Sequence, residues 1–93
     1  MEFSERFIRE LEAEFPHVYE WQDPPGTVYE EHSHKGKVSL RVTDGAITFN
    51  FSGEEKIVNP GERIDIQSDQ PHSAVVGPEG CIMIVGEEIE GDS

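Results

Sequence analysis

The pair His32 and His34 is the feature of this sequence best suited to chemistry. Two residues apart on an extended strand, both imidazoles point to the same side, with their Cβ atoms about 7 Å apart. That separation suits two ligands on one metal ion, whose bonds to imidazole nitrogen measure about 2.0–2.1 Å. The alternative is a pair of core histidines satisfied by backbone carbonyls, since a buried imidazole must be hydrogen-bonded or ligated.

Alternating positions before this pair extend the same strand face. Val28 and Glu30 share the face of the two histidines, and the apolar Val28 indicates that this face looks inward. Glu30 is therefore a candidate to reach the metal, to hold an imidazole N–H or to act as a base. A rim glutamate in water is the equal alternative. His17, beside Pro16, is expected to be a solvated loop residue.

The elements that must position these residues begin with a helix. Four apolar residues recur near a 3.6-residue period, namely Phe7, Ile8, Leu11 and Phe15. Ser4 suits the N-cap, and Pro16 ends the run because the residue before a proline disfavours helix. We expect residues 1–17 to carry a helix that packs on the rest of the domain or on a partner subunit.

From Val18 onward the helical period is lost. Short apolar runs separated by turn residues every eight to twelve positions predict an antiparallel β-sandwich or barrel. We assign residues 18–88 to this β domain and residues 89–93 to an acidic tail. Asp44-Gly45 predicts a hairpin, and Gly77-Pro78-Glu79-Gly80 predicts a further turn.

Several other side chains have simpler expectations. Arg41 and Arg63 alternate outward and are expected on the surface. Tyr19, Trp21 and Tyr29 are expected to cover the barrel or a subunit interface, in preference to stacking on a cofactor.

Composition limits the partners of the chain. Its 93 residues are enough for one domain, and 20 acidic against 7 basic side chains give a net charge of −13. This balance argues against nucleic acid and anionic membrane surfaces, which need clustered basic residues. No run approaches the roughly 20 apolar residues of a membrane span, and no apolar signal core is present, so we expect a cytoplasmic protein. The single cysteine, Cys81, is either a small buried hydrophobe or, as the weaker alternative, a catalytic thiol.

The spacing of glycines and histidines resembles the two motifs of the cupin family. The first motif runs Gly, five residues, His-x-His, three or four residues, Glu, six residues, Gly. Its positions are occupied here by Gly26, His32, His34, Val38 and Gly45. The second motif runs Gly, five residues, Pro-x-Gly, two residues, His, three residues, Asn. Its positions are occupied by Gly61, Gln67, Asp69, His72 and Val76.

This resemblance implies a small antiparallel β-barrel or jelly roll that binds one divalent metal through His32, His34 and His72. Zinc, iron, nickel, manganese and copper all accept imidazole nitrogen. The family's glutamate ligand is replaced by Val38, which leaves the site one charge more positive and at least one coordination position open. Gln67 and Asp69 replace the proline and glycine of the second motif, and Val76 replaces its asparagine.

Three functions follow from this reading. The first is a metal-dependent enzyme of dioxygenase, isomerase or lyase type, with a small-molecule substrate at the metal. The expected pocket residues are Val28, Val38, Leu40, Gln67, Ala74 and Val76. The second is a non-catalytic sensor that binds a small ligand or metal in the same pocket. The third is a barrel that has lost its metal, against which the three retained histidines count.

A homodimer is expected, because cupin relatives commonly dimerise and the core is small.

Overall fold

The computed structural model describes residues 3–89 of the chain. In this range one helix precedes six strands: α1 (Phe3–Glu12), β1 (His17–Asp23), β2 (Val28–His32), β3 (Val38–Phe51), β4 (Glu54–Val58), β5 (Arg63–Ile66) and β6 (His72–Glu87). All strand pairs are antiparallel, so the predicted all-β fold with an N-terminal helix is confirmed. No helix in residues 3–89 is long and apolar enough to cross a membrane. Most of the predicted acidic tail, residues 90–93, lies outside the described residues.

Two long strands, β3 and β6, form the frame of the domain. They run antiparallel from the pair Val38–Glu87 to the pair Asn50–Ser73. At one end β1 and β5 flank them in the order β1-β6-β3-β5, and at the other end β2 and β4 flank them in the order β2-β6-β3-β4. The two layers thus share their central strands and enclose one apolar core. The sheet is not closed, because β1 and β2 each pair with β6 and not with each other.

The predicted hairpin at Asp44-Gly45 and the predicted turn at 77–80 are wrong. Both segments lie inside continuous strands, β3 and β6, where those strands pass from one layer to the other. The register shifts on either side of Gly45, whose φ is +73°, and a Cβ on it would lie 1.9 Å from the carbonyl oxygen of Gly80. An Asp-Gly pair supplies the positive φ of a hairpin turn, and a bulged corner requires the same conformation.

Helix α1 covers the outer face of the layer that contains β1. Phe7 and Leu11 are buried around Ile84 of β6, as the helical period predicted. Phe15 is buried in the same cluster, but the helix ends at Glu12, so Phe15 lies beyond it and not within the predicted helical run. Phe15 also packs against Gly86, so closely that a Cβ on Gly86 would lie only 2.7 Å from the phenyl ring. The helix begins at Phe3, so Ser4 lies in its first turn and not at the predicted N-cap position.

Arg41 and Arg63, expected on the surface, are instead partly buried between the helix and the sheet. Arg41 donates two hydrogen bonds to Glu10, at 2.7 and 3.0 Å. Arg63 donates to Glu10 at 2.9 Å, to Glu14 at 2.8 Å and to Asp65 at 2.9 Å. These bonds join α1 to β3 and β5, a role that the alternation of the strand residues did not indicate.

Candidate metal centre

Three histidines from distant parts of the chain meet at one end of the domain. His32 ends β2, His34 follows two residues later, and His72 begins β6, where it is paired with His32. The ring centroids are 4.5 Å apart for His32 and His72, 5.0 Å for His34 and His72, and 5.5 Å for His32 and His34. One ring nitrogen of each lies within 4.8 Å of the others, so small side-chain rotations would let all three share one ion.

The second ring nitrogens show that this arrangement is suited to metal. Nδ1 of His32 donates to the carbonyl of Glu30 at 2.8 Å, and Nδ1 of His72 donates to the carbonyl of Gln70 at 2.9 Å. A proton on Nδ1 leaves the lone pair of Nε2 available as a ligand, which is the usual arrangement in metal-binding histidines. Nδ1 of His34 is buried without a hydrogen-bond partner among the described residues. An unpaired buried nitrogen is costly, and a bound cation at the cluster would offset that cost.

Burial also keeps His72 in the form that metals bind. The ring is only 3% exposed, and this burial lowers its pKa from the ordinary histidine value. The neighbouring His32 and His34 lower it further, while the hydrogen bond to the Gln70 carbonyl opposes the shift. His72 is therefore neutral at physiological pH, as ligation requires.

The residues of β2 that face inward are not all those that were predicted. Val28 is 63% exposed and pairs with Val75 on the outer surface, so the expected inward position of Val28 is wrong. The register shifts between Tyr29 and His32, and this irregularity brings both of these residues to the inner side. Glu30 is exposed; the group that contacts His32 is its backbone carbonyl.

A mainly apolar cavity of about 350 Å³ adjoins the three histidines. Val38, Leu40 and Ala74 line it, as expected. Val76 is buried in the core and Val28 and Gln67 are exposed, so these three expected pocket residues do not line the cavity. Lining residues that the sequence did not indicate as pocket residues are Tyr19, Trp21, Tyr29, Ile47, Phe49, Ile66, Met83, Val85 and Glu87. Alternate positions on β1 were the signal that could have identified Tyr19 and Trp21.

Cys81 belongs to the core and not to the cavity. It is 2% exposed, and burial raises the pKa of its thiol to about 11. A neutral, buried thiol fits the role of a small hydrophobe and not that of a nucleophile.

Comparison with known proteins places this architecture in a family. The family model described as a cupin domain matches residues 19–85, which is more than half of the chain. The chain belongs to the cupin family. Curated proteins show no significant match to its sequence.

Solved structures share the fold of this cupin. An RmlC-like cupin from Shewanella frigidimarina superposes with a TM-score of 0.69 at 21% identity over 80% of this chain and 67% of that one. DMSP lyase DddQ from Ruegeria pomeroyi gives 0.70 at 20% identity over 80% of this chain, which spans only 38% of the lyase. The polyketide cyclase RemF from Streptomyces resistomycificus gives 0.65 at 26% identity over 77% of this chain and 54% of that one.

One departure from the cupin motif has a clear structural explanation. Asp69 replaces the inner glycine of the second motif and has a φ of +63°. Aspartate is among the few residues that adopt this left-handed conformation readily, so the loop keeps its course without glycine. The backbone N–H of Asp69 then donates to the carbonyl of His34 at 2.8 Å. This bond ties the second motif to the first beside the histidine cluster.

Proposed function

We propose that this cupin binds one divalent transition-metal ion through His32, His34 and His72 and acts on a small molecule in the adjoining cavity. The observation that carries the proposal is the convergence of three imidazoles, two with Nε2 left available by backbone bonds and one with an unpaired buried nitrogen. A bound ion would supply Lewis-acid polarisation and an attachment point for the substrate. The chain itself would orient the substrate and exclude water through the apolar cavity wall.

Within this proposal we favour lyase-type chemistry. Two structural relatives are named as a lyase and a cyclase, and this chain covers only part of each. With Val38 at the position of the family's glutamate, the metal would carry three neutral protein ligands and attract an anionic or electron-donating substrate group. For Glu30 we propose the role of a rim glutamate in water, because its side chain is exposed.

A non-catalytic sensor is the second candidate, and the polar groups of the cavity favour it. Glu87 already accepts a hydrogen bond from Tyr19 at 2.9 Å, and the hydroxyl of Tyr29 donates to Asp23 at 2.6 Å. The hydroxyl hydrogens of both tyrosines are thus engaged in bonds within the protein. A binding module needs only affinity for its ligand. The homodimer stays a prediction under either function.

The first test is elemental analysis of protein made without a histidine tag, together with His72→Ala and His17→Ala. We expect about one equivalent of metal per chain in the wild type and in His17→Ala, which changes a histidine outside the cluster. The variant His72→Ala should lose the metal. Wild-type protein that binds no ion after reloading, or a His72→Ala variant that keeps it, would contradict the proposed site.

A second measurement separates enzyme from sensor. Metal-loaded protein is incubated with a mixture of small metabolites, and the mixture is compared by mass spectrometry with one treated with His72→Ala. Products that form only with the wild type support catalysis. Compounds that bind to the wild type and are recovered unchanged support the sensor.

A further inference from the structure

We propose that the cavity selects a compact, mostly apolar molecule with one electron-pair-donating head group, such as a carboxylate, and that Asp23 is the positioning residue for its aromatic wall. The place of the head group rests on the proposed function, because its partner is the ion held by the three histidines. The selection of an apolar body and the role of Asp23 rest on contacts within the cavity wall.

The two tyrosines and the tryptophan of the cavity wall are already hydrogen-bonded within the protein. Tyr19 donates to Glu87 at 2.9 Å, Tyr29 donates to Asp23 at 2.6 Å, and Nε1 of Trp21 donates to Asp23 at 2.9 Å. The rest of the lining consists of aliphatic, phenyl and thioether side chains together with the histidines. These bonds use the donor hydrogens of Tyr19, Tyr29 and Trp21. A ligand rich in hydroxyl groups would have to break them or leave some of its hydroxyl oxygens without a donor, and either costs binding energy. An apolar body gains from burial against the same wall.

Asp23 spans the open edge of the sheet. It ends β1, while Tyr29 lies on β2, and these two strands have no backbone pairing with each other. Asp23 is only 7% exposed, and an acidic residue is seldom buried to this extent unless its carboxylate is paired. It accepts one bond from each strand and so sets the positions of the Trp21 and Tyr29 rings.

The network also has a defined proton arrangement. Burial, together with the bond to Asp23, raises the pKa of Tyr29 to about 12. The hydroxyl therefore remains a donor at physiological pH, and it also accepts from Nε1 of Trp21 at 3.2 Å. A closed triangle of three bonds leaves little freedom for either ring.

Trp21 is the single tryptophan of the chain, so its fluorescence reports on the cavity directly. We would titrate zinc-loaded protein with benzoate and with glucuronate, which both carry a carboxylate on a six-membered ring but differ in hydroxyl content, and confirm the affinities by calorimetry. Benzoate should bind about tenfold or more tightly than glucuronate. Equal or tighter binding of glucuronate, or no binding of benzoate at millimolar concentration, would overturn the proposed selectivity.

The role of Asp23 is tested with Asp23→Asn and Tyr29→Phe against Glu20→Gln, an exposed change on the same strand. The first two variants should weaken benzoate binding about fivefold or more and shift the Trp21 emission, because each removes a bond that holds the wall. The control should match the wild type. If Asp23→Asn does not fold, as judged by circular dichroism, Tyr29→Phe decides alone. Variants that bind benzoate as the control does would refute the positioning role.

Metal content measured on the same samples separates the two proposals. Protein with a full equivalent of metal but no preference for benzoate refutes this inference and leaves the proposed metal site intact. Protein that takes up no metal but still prefers benzoate refutes the proposed function and supports the selectivity of the wall.

Discussion

At the scale of single residues, the chemistry depends on which side chains face the cavity beside the histidines. Val38 is 8% exposed and lines that cavity at the position where the cupin motif has its glutamate. This departure from the motif therefore lies inside the site and not on the surface. Its replacement of a carboxylate makes the cavity more apolar and the expected metal site more positive.

Restoring the carboxylate is a direct test of this position. Val38→Glu should bind zinc about tenfold or more tightly than the wild type, because a charged ligand joins three neutral ones. Without metal it should be less stable by about 1–3 kcal/mol, the cost of a buried polar group without a partner. Chelator competition gives the affinity, and urea unfolding with and without zinc gives the stability. Val38→Gln keeps the shape without the charge, and equal zinc affinity for the two variants would show that position 38 does not reach the ion.

At the scale of elements, the ion pairs of Arg41 and Arg63 join helix α1 to the sheet. Hydrogen bonds from Arg41 and Arg63 lower the pKa of Glu10, that from Arg41 being the largest cause. Burial raises the pKa of Asp65, but hydrogen bonds from Ser39 and Arg63 outweigh it, so this pKa also lies below its usual value. Carboxyl groups with lowered pKa values stabilise the fold above their unfolded pKa values, which are near 4. That stabilisation is lost as the pH falls through the folded values.

We therefore expect the free energy of unfolding to fall below about pH 4 and to depend on Arg63. Arg63→Gln should cost about 1–2 kcal/mol at pH 7 and should show a smaller further loss between pH 5 and pH 3, because the lowered pKa values return toward normal. Urea unfolding at several pH values measures both effects. Arg9→Gln, an exposed change on the same helix, is the control. Parallel pH curves for the two variants would contradict this role of the ion pairs.

At the scale of the whole molecule, the cavity exists because β3 and β6 each pass through both layers. Their bend brings apolar side chains from both halves of β3 into one core. Gly45 lies at the bend, where the backbone of Gly80 approaches so closely that a Cβ would clash. The two-layer fold thus depends on the close approach of Gly45 and Gly80 at this bend.

Gly45→Ala should destabilise the protein by about 3 kcal/mol or more, since the positive φ and the clash with a backbone oxygen both oppose the new methyl group. Gly53→Ala is the matched control. Gly53 also has a positive φ, of +96°, but nothing lies within 4 Å of a Cβ there, so this variant should lose only about 1–2 kcal/mol. Chemical denaturation of both variants gives the comparison. Equal losses would show that close approach at the corner contributes nothing beyond the backbone conformation.

The sequence by itself determined the elements whose signals are local. The 3.6-residue period predicted the helix and its buried residues, and short apolar runs between turn residues predicted an antiparallel β fold. The spacing of His32, His34 and His72 indicated residues that the structure brings together. Only the tertiary structure decided the irregular register of β2, the bent strand at Asp44-Gly45 and the bridge from Asp23 to Tyr29. The physical reason is that these features depend on which distant strand lies alongside, and the same residues are compatible locally with several pairings.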